Sequence, residues 1–275
     1  MPCAVTCRVI TTTRRLVAAA MLCLAIAVPG CSSSGHPSGA DATSTSPASP
    51  AAPAPTDAAG LADLLHRGIS SVSTVHLALN VTGPGQTINS EGDAKLASGT
   101  LRDLDITEEL GSGGKRRLLI VDQATYAQVP GANQTGKPWV LVTRDSPNPA
   151  VRNMATSLEA LRKSASLDHF STFASAAQNI RLVDKESLNG TPVTHYLVNV
   201  DVAKLPESTP GRQPLLGAGI TTLPIELYID GQGRPLKATQ DITVQGEHSS
   251  TVIMFSKFNA PVSIGAPPAD QVSTA

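Results

Sequence analysis

IELYIDGQGRPLKATQDITVQGEHSSTVIMFSKFNAPVSIGAPP occupies residues 225–268. Ile225 to Ile229 and Leu236 to Val244 are short runs with apolar residues at period two, and Asp230-Gly231-Gln232-Gly233 between them carries turn chemistry. The segment therefore reads as two antiparallel strands joined by a tight connection. Ser250 to Phe258 supplies a third strand. There Val252 and Met254 alternate with Ile253 and Phe255, so the strand is apolar on both sides, as expected where one face packs helices and the other lines a void or a second layer.

The same alternation extends upstream. Val75, Leu77, Leu79 and Val81 point one way while Thr74, His76, Asn80 and Thr82 point the other. Leu104 and Ile106 alternate with Asp103, Asp105 and Thr107, and Gly111-Ser112-Gly113-Gly114 reads as a hairpin loop leading into Arg116 to Val121. Shorter strands are expected at Thr125 to Val129, Pro138 to Val142, Ile180 to Asp184 and Val193 to Val200. Helical spacing occurs twice. Leu61, Leu64, Leu65 and Ile69 share a face of a helix over Ala58 to Ser70; Val151, Met154, Leu158 and Leu161 define a second, followed directly by Leu167, Phe170, Phe173 and Ala174. Ten or eleven strands with helices at the start and middle make an α+β domain over 58–268. An open antiparallel sheet of about ten strands curls strongly, and the helices of 150–177 are the available lid.

Arg8, Arg14 and Arg15 precede an uncharged apolar run from Leu16 to Val28, the pattern of a secretory signal over residues 1–30. Thirteen residues of helix span roughly 20 Å, short of a hydrocarbon core of about 30 Å. Val28-Pro29-Gly30-Cys31 resembles the bacterial lipobox, which implies diacylglyceryl transfer to Cys31 and a lipid anchor on the extracytoplasmic face of the cell membrane. Ala25-Ile26-Ala27 offers a competing cleavage site that would release a soluble secreted protein. Cys3, Cys7 and Cys23 fall in the removed segment, so Cys31 has no partner for a disulfide. Residues 32–57 are mostly Ser, Thr, Ala, Pro and Gly, a disordered tether whose ends sit about 28 Å apart as a coil. Residues 269–275 form a short C-terminal tail.

Removal of Arg8, Arg14 and Arg15, with no acidic residue lost, takes the net charge from −1 to −4. No basic surplus remains to attract nucleic acid or anionic headgroups. Aromatic residues make up 3% of the chain, with one tryptophan, too few for a ring-stacking sugar or single-strand platform. The chain lacks a G-x-S-x-G elbow, an H-E-x-x-H pair, a P-loop and a dinucleotide fingerprint, and its six His residues are scattered. No catalytic residue, metal or cofactor is expected. A distant triad built on His169 or His195 is the weakest reading.

Residues 225–268, with Lys137-Pro138-Trp139-Val140 and Ser73-Thr74-Val75-His76, resemble the LppX/LprG-type (LppX/LprAFG) envelope lipoproteins of mycobacteria. The resemblance implies a half-barrel sheet of the LolA/LppX kind wrapped over helices around an apolar cavity. It also implies binding of an acylated lipid or glycolipid, transport of that lipid to the outer envelope, and an envelope transporter as partner. The candidate wall is Leu77, Leu79, Leu104, Ile106, Leu118 and Ile120 from the sheet with Met154, Leu158, Leu161, Phe170 and Phe173 from the helices. Leu215 and Leu216, within the Pro- and Gly-rich segment 206–222, are expected to form a flap at its mouth. The competing expectation is a closed core in a non-catalytic scaffold that holds another envelope protein.

Overall fold

The computed structural model describes residues 54–109, 111, 114–128, 136–244 and 246–273, without the side chains of 156, 157, 160, 161, 163 and 164. Cys31, the signal segment and the tether up to residue 53 lie outside the described residues, as does the side chain of Leu161.

Helix α1 (Ala58–Ser70) begins where the Asp57 carboxylate accepts the Gly60 amide at 2.8 Å, and it buries Leu61, Leu65 and Ile69. Six strands follow: β1 (Thr74–Gly83), β2 (Gln86–Ala97), β3 (Thr100–Glu109), β4 (Lys115–Val121), β5 (Ala124–Gln128) and β6 (Trp139–Leu141). Helices α2 (Pro149–Ser164) and α3 (His169–Ser175) come next, then β7 (Ala177–Leu188) and β8 (Thr191–Asp201). The chain continues with α4 (Arg212–Gly217), β9 (Thr222–Asp230), β10 (Pro235–Val244), β11 (Glu247–Ser256) and β12 (Val272–Ser273).

The twelve strands among the described residues form one sheet in the order β12-β6-β5-β4-β3-β2-β1-β11-β10-β9-β8-β7. It is two antiparallel meanders, β1 to β6 and β7 to β11, joined where β1 pairs with β11. The sheet is open, with β12 and β7 as its edges. This order dictates where the helices go. The chain leaves the first meander at β6, beside one edge, and resumes at β7, the opposite edge. The segment carrying α2 and α3 must therefore cross the whole sheet, and its apolar residues lie on the face that the curl makes concave.

Gly92 on β2 lies close against β3. A Cβ there would sit 2.0 Å from the Asp105 carbonyl oxygen of β3, so the two backbones approach more closely than any side chain allows. The rim beneath α1 is sealed by backbone contacts: Leu167, just before α3, donates its amide to the Gly99 carbonyl at 2.8 Å, and the Leu101 amide donates to Ser166 Oγ at 3.0 Å.

Two elements escape the sequence pattern. β2 supplies a twelve-residue strand where no alternation of large apolar residues announces one, and the segment after β11 straps the outer face. In that strap the Asn259 amide donates to the Thr74 carbonyl at 2.9 Å, Thr74 Oγ1 donates to the Ala260 carbonyl at 2.7 Å, and Lys95 Nζ donates to the Ile264 carbonyl at 3.1 Å. Val262 and Ile264 then cover Leu119, Val121 and Trp139. Val272–Ser273, expected in a tail, instead pairs in parallel with β6. On β11, Ile253 and Phe255 face the helices, whereas Val252 and Met254 are half-exposed on the outer face.

Candidate functional site

The concave face is built from cross-strand rows. One runs Phe255, Leu77, Gly92, Ile106, Leu118, Ala127, Val140 across seven strands. The helices meet it from above: Phe170 of α3 stands edge-on to Phe255 with ring centroids 5.8 Å apart, and Leu158 of α2 is buried in the same cluster. Of the expected wall residues, Leu77, Leu104, Ile106, Leu118, Ile120, Leu158 and Phe170 are buried in one hydrophobic cluster. Leu79, Met154 and Phe173 pack against the same cluster half-buried, and so do Leu215 and Leu216 of α4. The expected flap is therefore a helical turn with both leucines against the core.

The reading from sequence omitted the second meander's share of this surface. Tyr196, Val198 and Val200 of β8 and Ile225 and Leu227 of β9 join the cluster, with Leu61, Leu65 and Ile69 of α1. Their alternation carries the same signal as that of Leu104 and Ile106.

Covering is uneven along the strands. At the α1 rim the inner residues Val75, Leu77 and Phe255 are closed off, further along Leu79 and Ile253, paired with each other, are half-exposed, and beyond Leu79 Val81 is closed again. Val244, Ile180, Phe173 and the α4 leucines are also only partly buried. These partly covered residues are interspersed with closed ones, since Val81, Val200, Leu223 and Ile242, also on the side away from α1, are buried.

At the level of Leu79 the inner face turns polar. Ser90 on β2 faces Glu108 on β3, which faces Arg116 on β4. Parity places Glu108 in line with Leu104 and Ile106, and Arg116 in line with Leu118 and Ile120. Glu108 is 7% exposed, and its Oε2 accepts from Arg116 Nε at 2.7 Å and from Nη2. Ser90 Oγ is buried without a hydrogen-bond partner among the described residues. Followed the other way, the row passes Leu79, Ile253, Ala238 and Leu227 to Tyr196. Tyr196 is fully buried, its hydroxyl also lacks a partner, and burial raises its phenol pKa.

The outer face carries the remaining charge. Arg117 forks onto Asp105 at 2.8 and 2.6 Å, and those bonds raise the guanidinium pKa further. His76 lies 2.7 Å from Asp93 and 3.1 Å from Glu91. His195 stacks on Tyr228 at 4.2 Å, and burial together with Glu226 pushes the Tyr228 phenol up to about 12. His169 is bonded to the Ser166 carbonyl, and burial lowers its pKa. Neither His169 nor His195 is bonded to a hydroxyl or thiol among the described residues, and no group of three His, Cys, Asp or Glu among them could hold a metal ion. A cleft of about 250 Å³ between Thr87, Asn89, Glu109 and Lys115 opens at the rim, away from the apolar wall. No helix among the described residues is long and apolar enough to cross a membrane.

Against known proteins, no family model and no curated sequence matches the chain. Among solved structures, LprF from Mycobacterium bovis aligns at 16% identity and a TM-score of 0.51, over 76% of this chain and 96% of that one. The chain shares the LprF fold. The lipoprotein LppX of Mycobacterium tuberculosis aligns at 14% identity and a TM-score of 0.49, over 76% of this chain and 98% of LppX. The fold this chain has in common with LprF is a large, open, mostly antiparallel sheet with helices.

Proposed function

We propose that the protein is a lipid-anchored, non-catalytic carrier of the cell envelope that takes an acylated lipid or glycolipid between its curved sheet and α2–α3 and aids its passage to the outer envelope. The observation that carries this reading is the continuous apolar surface between the curved sheet and its helices, with Leu79, Ile253, Leu215 and Leu216 only partly buried against it. The fold shared with LprF and the lipobox-like Cys31 agree with it.

The energetics give the arrangement its purpose. A sixteen-carbon chain exposes about fifteen methylenes at roughly 0.8 kcal/mol each, so leaving a bilayer unaided costs on the order of 12 kcal/mol. An apolar interior offsets that cost. In this reading Leu77, Leu79, Leu104, Ile106, Leu118, Ile120, Met154, Leu158, Leu161, Phe170 and Phe173 form the wall, α4 is the gate, and the tether lets the domain stand off the membrane.

Native mass spectrometry of the full-length Cys31→Ser chain tests this. Co-purifying lipid in stoichiometric amount is the expected result. A lipid-free protein from every preparation, which also takes up no lipid from vesicles, would leave the scaffold reading in its place.

A further inference from the structure

The inner face of a hydrocarbon carrier has no use for buried polar groups, because each costs free energy unless it is bonded. Here one cross-strand row contains three, with a partly exposed arginine beside them. Ser90, Glu108 and Arg116 stand side by side on β2, β3 and β4, and Tyr196 occupies the same row on β8. Two of the three buried groups are orphans: Ser90, 4% exposed, and Tyr196, fully buried, have hydroxyls with no partner among the described residues. Glu108 and Arg116 satisfy one another.

We propose that Ser90, Glu108 and Arg116 form a polar subsite for the uncharged, oxygen-bearing part of an acylated lipid, an ester or hydroxyl group, with the Tyr196 hydroxyl as a second contact further along the row. The proposal rests on the carrier reading and adds what the protein recognises beyond hydrocarbon. Directly opposed residues of paired strands keep their Cβ atoms about 5 Å apart, so one glycerol- or sugar-sized group reaches both the Ser90 hydroxyl and the ion pair. The hydroxyl donates or accepts, the carboxylate accepts and the guanidinium donates, which matches a group that itself both donates and accepts.

The pair's charges cancel, and this selects against a phosphate. An anion entering here would have to draw Arg116 away from Glu108 and leave that carboxylate buried without its partner. The geometry of the row also fits the direction of insertion. Acyl chains then lie over Leu77, Ile106 and Leu118, toward α1, and the polar group sits one inner position further along the strands, beside half-buried Leu79.

The test partitions radiolabelled probes from phosphatidylcholine vesicles onto the full-length Cys31→Ser chain: monoolein, 1-octadecene as the same hydrocarbon without oxygen, and oleoyl lysophosphatidic acid as the phosphate-bearing counterpart. Monoolein is expected to bind at least tenfold better than the other two. Ser90→Ala should lower the monoolein-to-octadecene ratio three- to tenfold, the worth of one hydrogen bond. It removes no bond from the fold, so its melting temperature should match the parent's. The double variant Glu108→Gln/Arg116→Met, which strands no charge, should lower the same ratio. Equal binding of monoolein and octadecene, or an unchanged ratio in both variants, overturns the subsite while the carrier reading stands. Tighter binding of lysophosphatidic acid overturns the uncharged specificity, and no binding of any probe overturns both readings.

Discussion

Gly68 of α1 and Gly233 of the β9–β10 turn meet backbone to backbone: a Cβ on Gly68 would lie 2.2 Å from the Gly233 carbonyl carbon, and one on Gly233 would lie 2.3 Å from the Leu64 carbonyl oxygen. Helix α1 is thereby pressed onto the end of the sheet and closes it. Because the obstructing atoms are backbone, nothing nearby yields to an added side chain. Gly68→Ala should cost about 1–3 kcal/mol as overpacking, and Gly233→Ala more, since its φ of +83° adds left-handed strain. Urea unfolding checks this through a lowered midpoint at unchanged slope.

Ile264 ties the outer strap to the sheet beside Trp139, the single tryptophan of the chain. Ile264→Ala should destabilise by about 2–4 kcal/mol. Trp139 fluorescence reports it directly: the emission of the variant should shift to the red under conditions where the parent's does not, as solvent reaches the ring.

His169 is held neutral by burial, its folded-state pKa lying below the ordinary 6.5. A base depressed in the fold adds stability above its unfolded pKa and loses it as pH falls through the window below about 6.5. Thermal melts from pH 7.5 to 4.5 should show this decline, and His169→Gln should make the melting temperature less sensitive to acid than the parent's.

Tyr228 behaves in the opposite window. Its phenol is raised to about 12, so the neutral form is favoured in the fold. That contribution is fully present below about pH 10 and is lost as pH climbs from 10 toward 12. Tyr228→Phe should flatten the alkaline end of a melting-temperature profile recorded between pH 9 and 11.5, and an identical slope in both proteins would refute the assignment.

Leu215 and Leu216 of α4 rest against the same core as the helices and the sheet, although the helix is only six residues long. Replacing both with Ser should slow lipid uptake from vesicles roughly tenfold, while the melting temperature falls by only a few degrees because both residues are half-exposed. Stopped-flow transfer of a fluorescent acyl lipid measures the rate, and uptake at the parental rate would remove α4 from the gate.

Much of this architecture is legible in the chain itself. Periodicity marks α1 with both ends, the paired helices after Pro149, and every long strand whose inner residues are large and apolar, because side-chain alternation is a local property. β2 has none of that signal: its inner positions are Ser90, Gly92 and Ala94, all small, and only the pairing of β1 and β3 on either side reveals it as a strand. The polar row stayed hidden for a related reason. Glu108 and Arg116 read as solvent residues near a hairpin end, and only their parity with Ile106 and Leu118 turns them inward.

Taken alone, the chain determined α1, the interruption by α2 and α3, and the strands with large apolar inner residues, with the apolar side of each, but not β2, α4 or β12. The union of β1 with β11, the crossing of α2 and α3 from edge to edge, the outer strap and the inward placing of Ser90, Glu108, Arg116 and Tyr196 were decided only by the tertiary structure. The division has one physical cause: alternation needs no more than neighbouring residues, whereas strand order and the side to which a curved sheet bends arise from pairings between residues as far apart in the chain as Leu77 and Phe255.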